Sequence, residues 1–140
     1  MNIKSVLLVE DDPFHAQVVQ SALKNEFGKI EIDVVSSEKE FHQKIQKFKW
    51  DVVILDQMIP WTTDEDPDPY TNAPEVGPRR AGTRCYELMI EKGGVMPIVV
   101  FFTNLQQEAV PQGAEYVRKK GDPKLTQLIT KIKELRAKLR

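Results

Sequence analysis

One cysteine, Cys85, stands among 140 residues, so no internal disulfide can form, and a reducing cytosol suits the chain. It lies in a stretch that reads as helix, with no histidine nearby to activate it. A buried filler is therefore the better reading than a nucleophile. Long hydrophobic runs are also missing. The opening Met-Asn-Ile-Lys-Ser leads into only four apolar residues, 6–9, too few for a signal peptide or a membrane span. Charge of one sign is lacking as well: the net value of −1 exerts no overall pull toward nucleic acid or anionic lipid. Any electrostatic specificity must be local. No internal repeat is present.

What remains is the composition of one soluble globular domain, 41% hydrophobic and 29% charged, long enough for a single core. Its centre is the stretch 51–60, Asp-Val-Val-Ile-Leu-Asp-Gln-Met-Ile-Pro. A short apolar run without alternation predicts a strand buried on both faces, the kind found in parallel sheets. In open α/β sheets the ligand crevice lies at the carboxyl ends of the strands. Asp56 thus falls at the chemical end and Asp51 at the opposite one.

The other elements follow by pattern. Residues 3–9 predict the first strand, ending in Glu10-Asp11-Asp12. Asp12 then acts as an N-cap with Pro13 at N1 of a helix that Gly28 closes. Residues 30–35 predict a second strand. Ser36-Ser37 opens a helix with Phe41, Ile45 and Phe48 on one stripe. After the third strand at 51–55, residues 61–81 form a long proline-rich loop, acidic at Asp64, Glu65, Asp66 and Asp68 and basic at Arg79-Arg80. A helix is predicted over 82–92, a fourth strand over 97–102, one or two helical turns within 105–112, and a fifth strand over 113–119. Leu125, Leu128, Ile129, Ile132, Leu135 and Leu139 mark the last helix, with Asp122-Pro123 at its start. Alternating strands and helices predict a doubly wound five-stranded parallel sheet.

The strand ends collect a polar set. Glu10 and Asp11 follow the first strand, Asp56 the third, Thr103 the fourth and Lys119 the fifth. Three converging carboxylates repel one another unless a cation joins them. Hard oxygen donors suit Mg²⁺, whereas zinc would want histidine or cysteine. A hydroxyl and an ammonium beside that ion complete a cradle for a phosphoryl group.

With Val9-Glu10-Asp11-Asp12-Pro13, Leu55-Asp56-Gln57-Met58-Ile59-Pro60, Phe102-Thr103-Asn104 and Tyr116-Val117-Arg118-Lys119 in this order, the whole chain resembles a receiver domain of a two-component response regulator. The resemblance implies the flavodoxin-like receiver fold over residues 1–140. It implies that Asp56 accepts a phosphoryl group from a histidine kinase or a phosphotransfer protein. Asp11, Asp56 and the backbone carbonyl of Met58 would ligate Mg²⁺, with Glu10 acting mainly through water. Thr103 would bond a phosphoryl oxygen and Lys119 would pair with the phosphorylated Asp56. Tyr116 matches the aromatic residue that moves with the hydroxyl of Thr103. Such a protein catalyses only its own phosphorylation, resides in the cytoplasm, and passes its state to a downstream protein. It contacts neither nucleic acid nor membrane. A homodimer is one expected assembly, because family members commonly dimerise through the fourth helix, fifth strand and fifth helix.

Bland readings stand beside these. Asp12 is a helix cap. Lys119 is preferred over Lys120 because strand alternation sets it on the face of Val117. His15 and His42 lie on helix surfaces away from the crevice and receive no role. Trp50 and Trp61 pack around the third strand, and Arg79-Arg80 pair with the acidic half of their own loop. The chain departs from the family in three places: the 61–81 insertion before Gly82, a shortened fourth helix, and Lys120 where a proline usually follows the lysine. The insertion is expected beside the crevice, recognising a partner or gating Asp56. No output segment follows the last helix, so a stand-alone receiver is expected. The alternative is a pseudo-receiver that binds partners without phosphorylation. A flavodoxin-like or hydrolytic α/β enzyme ranks last, since there is neither a glycine-rich phosphate loop nor a Ser/His/Asp set.

Overall fold

The computed structural model describes residues 2–47, 49–74 and 80–139. Five parallel strands, β1 (Ser5–Val9), β2 (Glu31–Val35), β3 (Val52–Leu55), β4 (Ile98–Thr103) and β5 (Glu115–Arg118), lie in the order β2-β1-β3-β4-β5. Four helices connect or follow them: α1 (Pro13–Phe27), α2 (Glu38–Lys47), α3 (Ala81–Lys92) and α4 (Thr126–Lys138). The doubly wound sheet expected from the sequence is the one observed. Phe48, placed above on the stripe of the second helix, and Arg79 lie outside the described residues.

Strand alternation divides the core in two. Val6, Leu8, Val52, Ile54, Val100 and Phe102 face α1 and α4, through Val19, Leu23, Leu128 and Ile132. Leu7, Val9, Val53, Leu55 and Phe101 face α2 and α3, through Phe41, Ile45, Cys85 and Met89. The central strands are buried on both sides, which is why β3 shows no polar alternation. Cys85 is fully buried among these apolar side chains, and that burial raises its thiol pKa far above the usual range. It is a packing residue.

Register then aligns the strand ends. Val9 lies opposite Leu55, Leu55 opposite Phe101, and Thr103 opposite Arg118. The ladder runs one step further, with Glu10 N donating to Val35 O (2.9 Å) and Asp56 N to Val9 O (3.2 Å). Both carboxylates are thereby anchored by the backbone. At the other edge Asp51 is structural: its Oδ2 accepts from the amides of Lys4 (2.8 Å) and Ser5 (3.1 Å).

Helix ends mostly obey local chemistry. Asp12 Oδ1 accepts from the amides of Phe14 (3.0 Å) and His15 (3.3 Å), and Gly28 closes α1 at φ +74°. Ser37 Oγ accepts from Glu40 N, while Glu40 Oε1 accepts from the Ser36 and Ser37 hydroxyls, a reciprocal cap on α2. The last helix corrects the expected start. It begins at Thr126 rather than beside Asp122-Pro123, because Leu125 adopts a left-handed turn at φ +61°. Asp122 still caps it from a distance, accepting from Gln127 N and Leu128 N at 2.8 Å each. The fifth strand is also shorter than expected, with Lys119 opening a 3-10 turn (Lys119–Gly121). The predicted short fourth helix is a single 3-10 turn, Gln107–Ala109.

Of the 61–81 segment, the described residues 61–74 fold onto α2, and none of them lines the cleft that holds Asp56. Pro60 and Trp61 carbonyls accept from the Glu38 and Lys39 amides (2.9 and 2.8 Å). Lys39 Nζ donates to Asp66 (2.9 Å) and to the Asp68 carbonyl (2.9 Å). Hydrogen bonds from Lys39, Asp68 N and Thr62 hold the Asp66 carboxyl at about 2. The acidic half of the loop thus finds its cation on α2. Beneath it, Arg84 on α3 grips the buried Glu38 through two bonds of 2.9 and 2.8 Å.

Helix α3 approaches β3 closely enough to require glycine. A Cβ at Gly82 would sit 2.7 Å from the Asp56 carbonyl oxygen and 2.9 Å from Gln57 Cα, both backbone atoms that cannot yield cheaply. Gly82→Ala is therefore expected to destabilise the fold by about 3 kcal/mol, read as a lower urea midpoint with an unchanged slope. An unshifted midpoint would contradict the close approach.

Candidate functional site

Glu10, Asp11, Asp56 and Lys119 meet in an open cleft of about 620 Å³ at the carboxyl edge of the sheet. Strand ends bring three of them there, and the 3-10 turn after β5 swings Lys119 back over the sheet. Its Nζ donates to Asp56 Oδ2 at 2.6 Å and to Glu10 Oε1 and Oε2 at 2.8 and 3.0 Å. Lys119, not Lys120, makes these bonds, although it reaches them from a turn rather than by strand alternation. Lys120 only lines the cleft.

The remaining residues divide. Asp56 Oδ1 accepts from Met58 N at 3.1 Å, which bends the segment after β3 around the carboxylate. Thr103 is buried, and its Oγ1 accepts from Leu105 N at 3.4 Å. It does not join the carboxylate–lysine cluster. Tyr116 Oη donates to the Leu105 carbonyl at 2.6 Å. Thr103 and Tyr116 are therefore tied to the amide and the carbonyl of one residue, although Tyr116 touches nothing in the cleft itself.

Two residues emerge that the sequence did not single out. His15 lies in the cleft, not away from it. Its Nδ1 is 2.6 Å from Glu10 Oε1, and its ring stacks on Phe102 at 5.7 Å between centroids. A partial signal was available: a residue in the first turn of a helix that starts two residues after Glu10–Asp11 stands near the strand end, although which way its side chain leans is not a local property. Gln57 had no such signal. Fully buried, it donates to Thr83 Oγ1 and to the Ala109 carbonyl (2.6 Å each) and accepts from Thr83 N (2.6 Å). It joins the segment after Asp56 to the start of α3 and to the 3-10 turn that replaces the fourth helix.

Electrostatics show what the cleft is short of. Burial raises the Glu10 pKa, against the hydrogen bond and charge of Lys119, and the charge of Asp56 adds to the rise. Lost solvation likewise raises Asp11, with the Asp56 charge contributing. Burial pulls Lys119 down, but the charges and hydrogen bonds of Asp56 and Glu10 prevail and raise it. Since the folded values of Glu10 and Asp11 exceed their unfolded ones, both favour folding at low pH. That support disappears as pH rises through the raised values. Lys119 stabilises throughout the range below its ordinary value and ceases to do so only above it. At neutral pH one ammonium faces three carboxylates.

A divalent cation answers this imbalance. Glu10, Asp11 and Asp56 each offer an oxygen within 4.8 Å of the others, the one such cluster among the described residues. Oxygens on opposite sides of Mg²⁺ lie about 4.2 Å apart, so small side-chain rotations suffice. The donors are all hard oxygens in an open cleft with space for water, which fits Mg²⁺.

No family model matches the chain, and no curated protein matches it. Solved structures do. TrrA, a response regulator protein from Thermotoga maritima solved in complex with Mg²⁺-BeF, aligns with a TM-score of 0.67 at 22% identity, covering 95% of this chain and 99% of that one. The fold is that of a receiver domain. The BeF3-activated N-terminal receiver domain of RstA from Klebsiella pneumoniae gives a TM-score of 0.63 at 20% identity, over 98% of this chain and 99% of that one. A CheY-like receiver domain from Methylobacillus flagellatus gives 0.60 at 18%, over 93% and 98%. At low identity, these matches extend the receiver fold over nearly the whole chain. No described helix is long and apolar enough to cross a membrane.

The surplus of negative charge yields a prediction. In metal-free buffer at neutral pH, Asp11→Asn should melt higher than the unaltered protein by about 3 °C, because it removes a partly desolvated negative charge beside Asp56. Mg²⁺ should raise the melting temperature of the unaltered protein and leave that of Asp11→Asn nearly unmoved. Equal responses of the two to Mg²⁺ would remove Asp11 from the cation site.

Proposed function

We propose that the protein is a response-regulator receiver that accepts a phosphoryl group on Asp56 in a Mg²⁺-dependent reaction and signals through a protein-binding surface. The observation that carries this reading is the Lys119 bridge, which holds Asp56 beside Glu10 and within reach of Asp11 at the floor of an open cleft. A structural salt bridge would not gather a third carboxylate.

In this reading Asp11, Asp56 and the Met58 carbonyl would hold the ion, and Glu10 would act through water. Bound Mg²⁺ would neutralise charge on the phosphoryl oxygens. A carboxylate oxygen of Asp56 attacks phosphorus as the bond to the donor phosphohistidine breaks, and the electron pair leaves on the imidazole nitrogen. Lys119 then follows the new dianion, and Thr103 turns its hydroxyl from Leu105 N toward a phosphoryl oxygen. Release of that amide loosens Leu105, whose carbonyl Tyr116 holds, so the state of Asp56 reaches β5. The donor is a histidine kinase or phosphotransfer protein in the cytoplasm. The chain catalyses no reaction beyond its own phosphorylation. Its partner surface is the face where the 3-10 turn at 107–109 stands in place of a fourth helix.

Acetyl phosphate with Mg²⁺, followed by intact mass, tests the reading. One phosphoryl mass should appear on the unaltered protein and should vanish with chelator or with Asp56→Asn. A protein that stays unmodified at saturating donor and Mg²⁺ is a pseudo-receiver, and the proposal fails.

A further inference from the structure

Glu10 poses a problem that the phosphorylation reading does not solve. Only 3% exposed, its carboxylate is held on both oxygens by Lys119. If Lys119 leaves for a phosphoryl group on Asp56, a buried carboxylate loses its ammonium. Losing the partner of a buried charge is far costlier than losing a surface contact. In the phosphorylation reading only a water-mediated contact with Mg²⁺ would then face it, which leaves the carboxylate without a direct protein partner in place of the lysine.

His15 is placed to be that partner. Its backbone amide donates to the Asp12 cap at 3.3 Å, its ring lies at 25° to Phe102, and its Nδ1 meets Glu10 Oε1 at 2.6 Å. Glu10 Oε1 is thus shared between Lys119 Nζ and His15 Nδ1. Phe102 immediately precedes Thr103 in β4. The imidazole is thus held at its backbone by Asp12 and at its face by Phe102, with its edge toward Glu10.

We propose that His15 is a positioning residue of the phosphoryl-transfer site, anchoring Glu10 so that Lys119 can transfer its hydrogen bonds from Glu10 to the phosphoryl group on Asp56. The inference rests on phosphorylation of Asp56. In the unphosphorylated protein the anchor is redundant, because Lys119 and His15 share Glu10. It becomes necessary only once Lys119 has moved.

That asymmetry defines the test, which uses acetyl phosphate and Mg²⁺ on the full chain. His15→Ala should leave Mg²⁺ affinity of the unphosphorylated protein within about twofold, measured by calorimetry, but lower the phosphorylated fraction at saturating Mg²⁺ about tenfold, as loss of a charge-assisted hydrogen bond implies. His15→Asn, whose amide nitrogen stands near the position of Nδ1, should recover most of the loss. In a Glu10→Gln background, His15→Ala should add little, since the charged acceptor is already gone. The anchor is refuted if His15→Ala takes up phosphoryl groups like the unaltered protein. It is equally refuted if His15→Asn fails as fully as His15→Ala while melting normally. Should His15→Ala not fold, His15→Leu, which keeps bulk beside Phe102 and offers Glu10 no polar atom, takes its place against His15→Asn. An unaltered protein that never gains phosphoryl mass would instead overturn the underlying phosphorylation reading.

Discussion

Lys119 is the interaction on which the rest of this molecule depends. It brings the only ammonium that bonds both Glu10 and Asp56 among the described residues, and without it those groups would be uncompensated negative charges beneath the surface. Burial raises Glu10 even with the lysine present, and the charge of Asp56 adds to the rise. Stability and chemistry oppose each other here. The carboxylates that weaken the folded protein at neutral pH are the ones a divalent cation and a phosphoryl group would use.

The frame that holds this charged cluster is apolar and rigid. Each central strand sends alternate side chains into two cores, and the ladder continues past the last apolar residue into Glu10 and Asp56 themselves. On the α2/α3 side, Gly82 lets helix α3 touch the Asp56 backbone, and Gln57 binds that contact to the turn at 107–109. Short, buried bonds therefore link the segment after Asp56 to a face that lacks a full fourth helix. Thr103, Leu105 and Tyr116 offer a second route to the same face.

The segment after Pro60 takes a different course from the cleft. Lys39 gathers Asp66 and the Asp68 carbonyl, Trp61 packs edge-on against His42, and Arg84 secures Glu38 below them. Its described part extends the surface over α2 and leaves the entrance to Asp56 to Phe14, Val18, Asn104 and Lys120.

Strand–helix alternation, the two-sided burial of β3, the cap at Asp12 and the glycine closing α1 were all legible in the sequence, because each depends on residues within a few positions of one another. So was the order of Glu10, Asp11, Asp56, Thr103 and Lys119 at strand ends, since an apolar run that stops at a polar residue marks its own edge. What only the tertiary structure decided was who meets whom. Lys119 reaches Asp56 across 63 residues of chain, and Gln57 reaches Ala109 across 52, distances over which no local pattern carries information. Asp66 meets a lysine on α2, far from it in sequence, and Leu125 delays the last helix by a left-handed turn. His15 was hidden for a subtler reason. Periodicity tells which face of a helix is apolar, but which polar side chain leans over a strand end depends on how the helix is seated on the sheet.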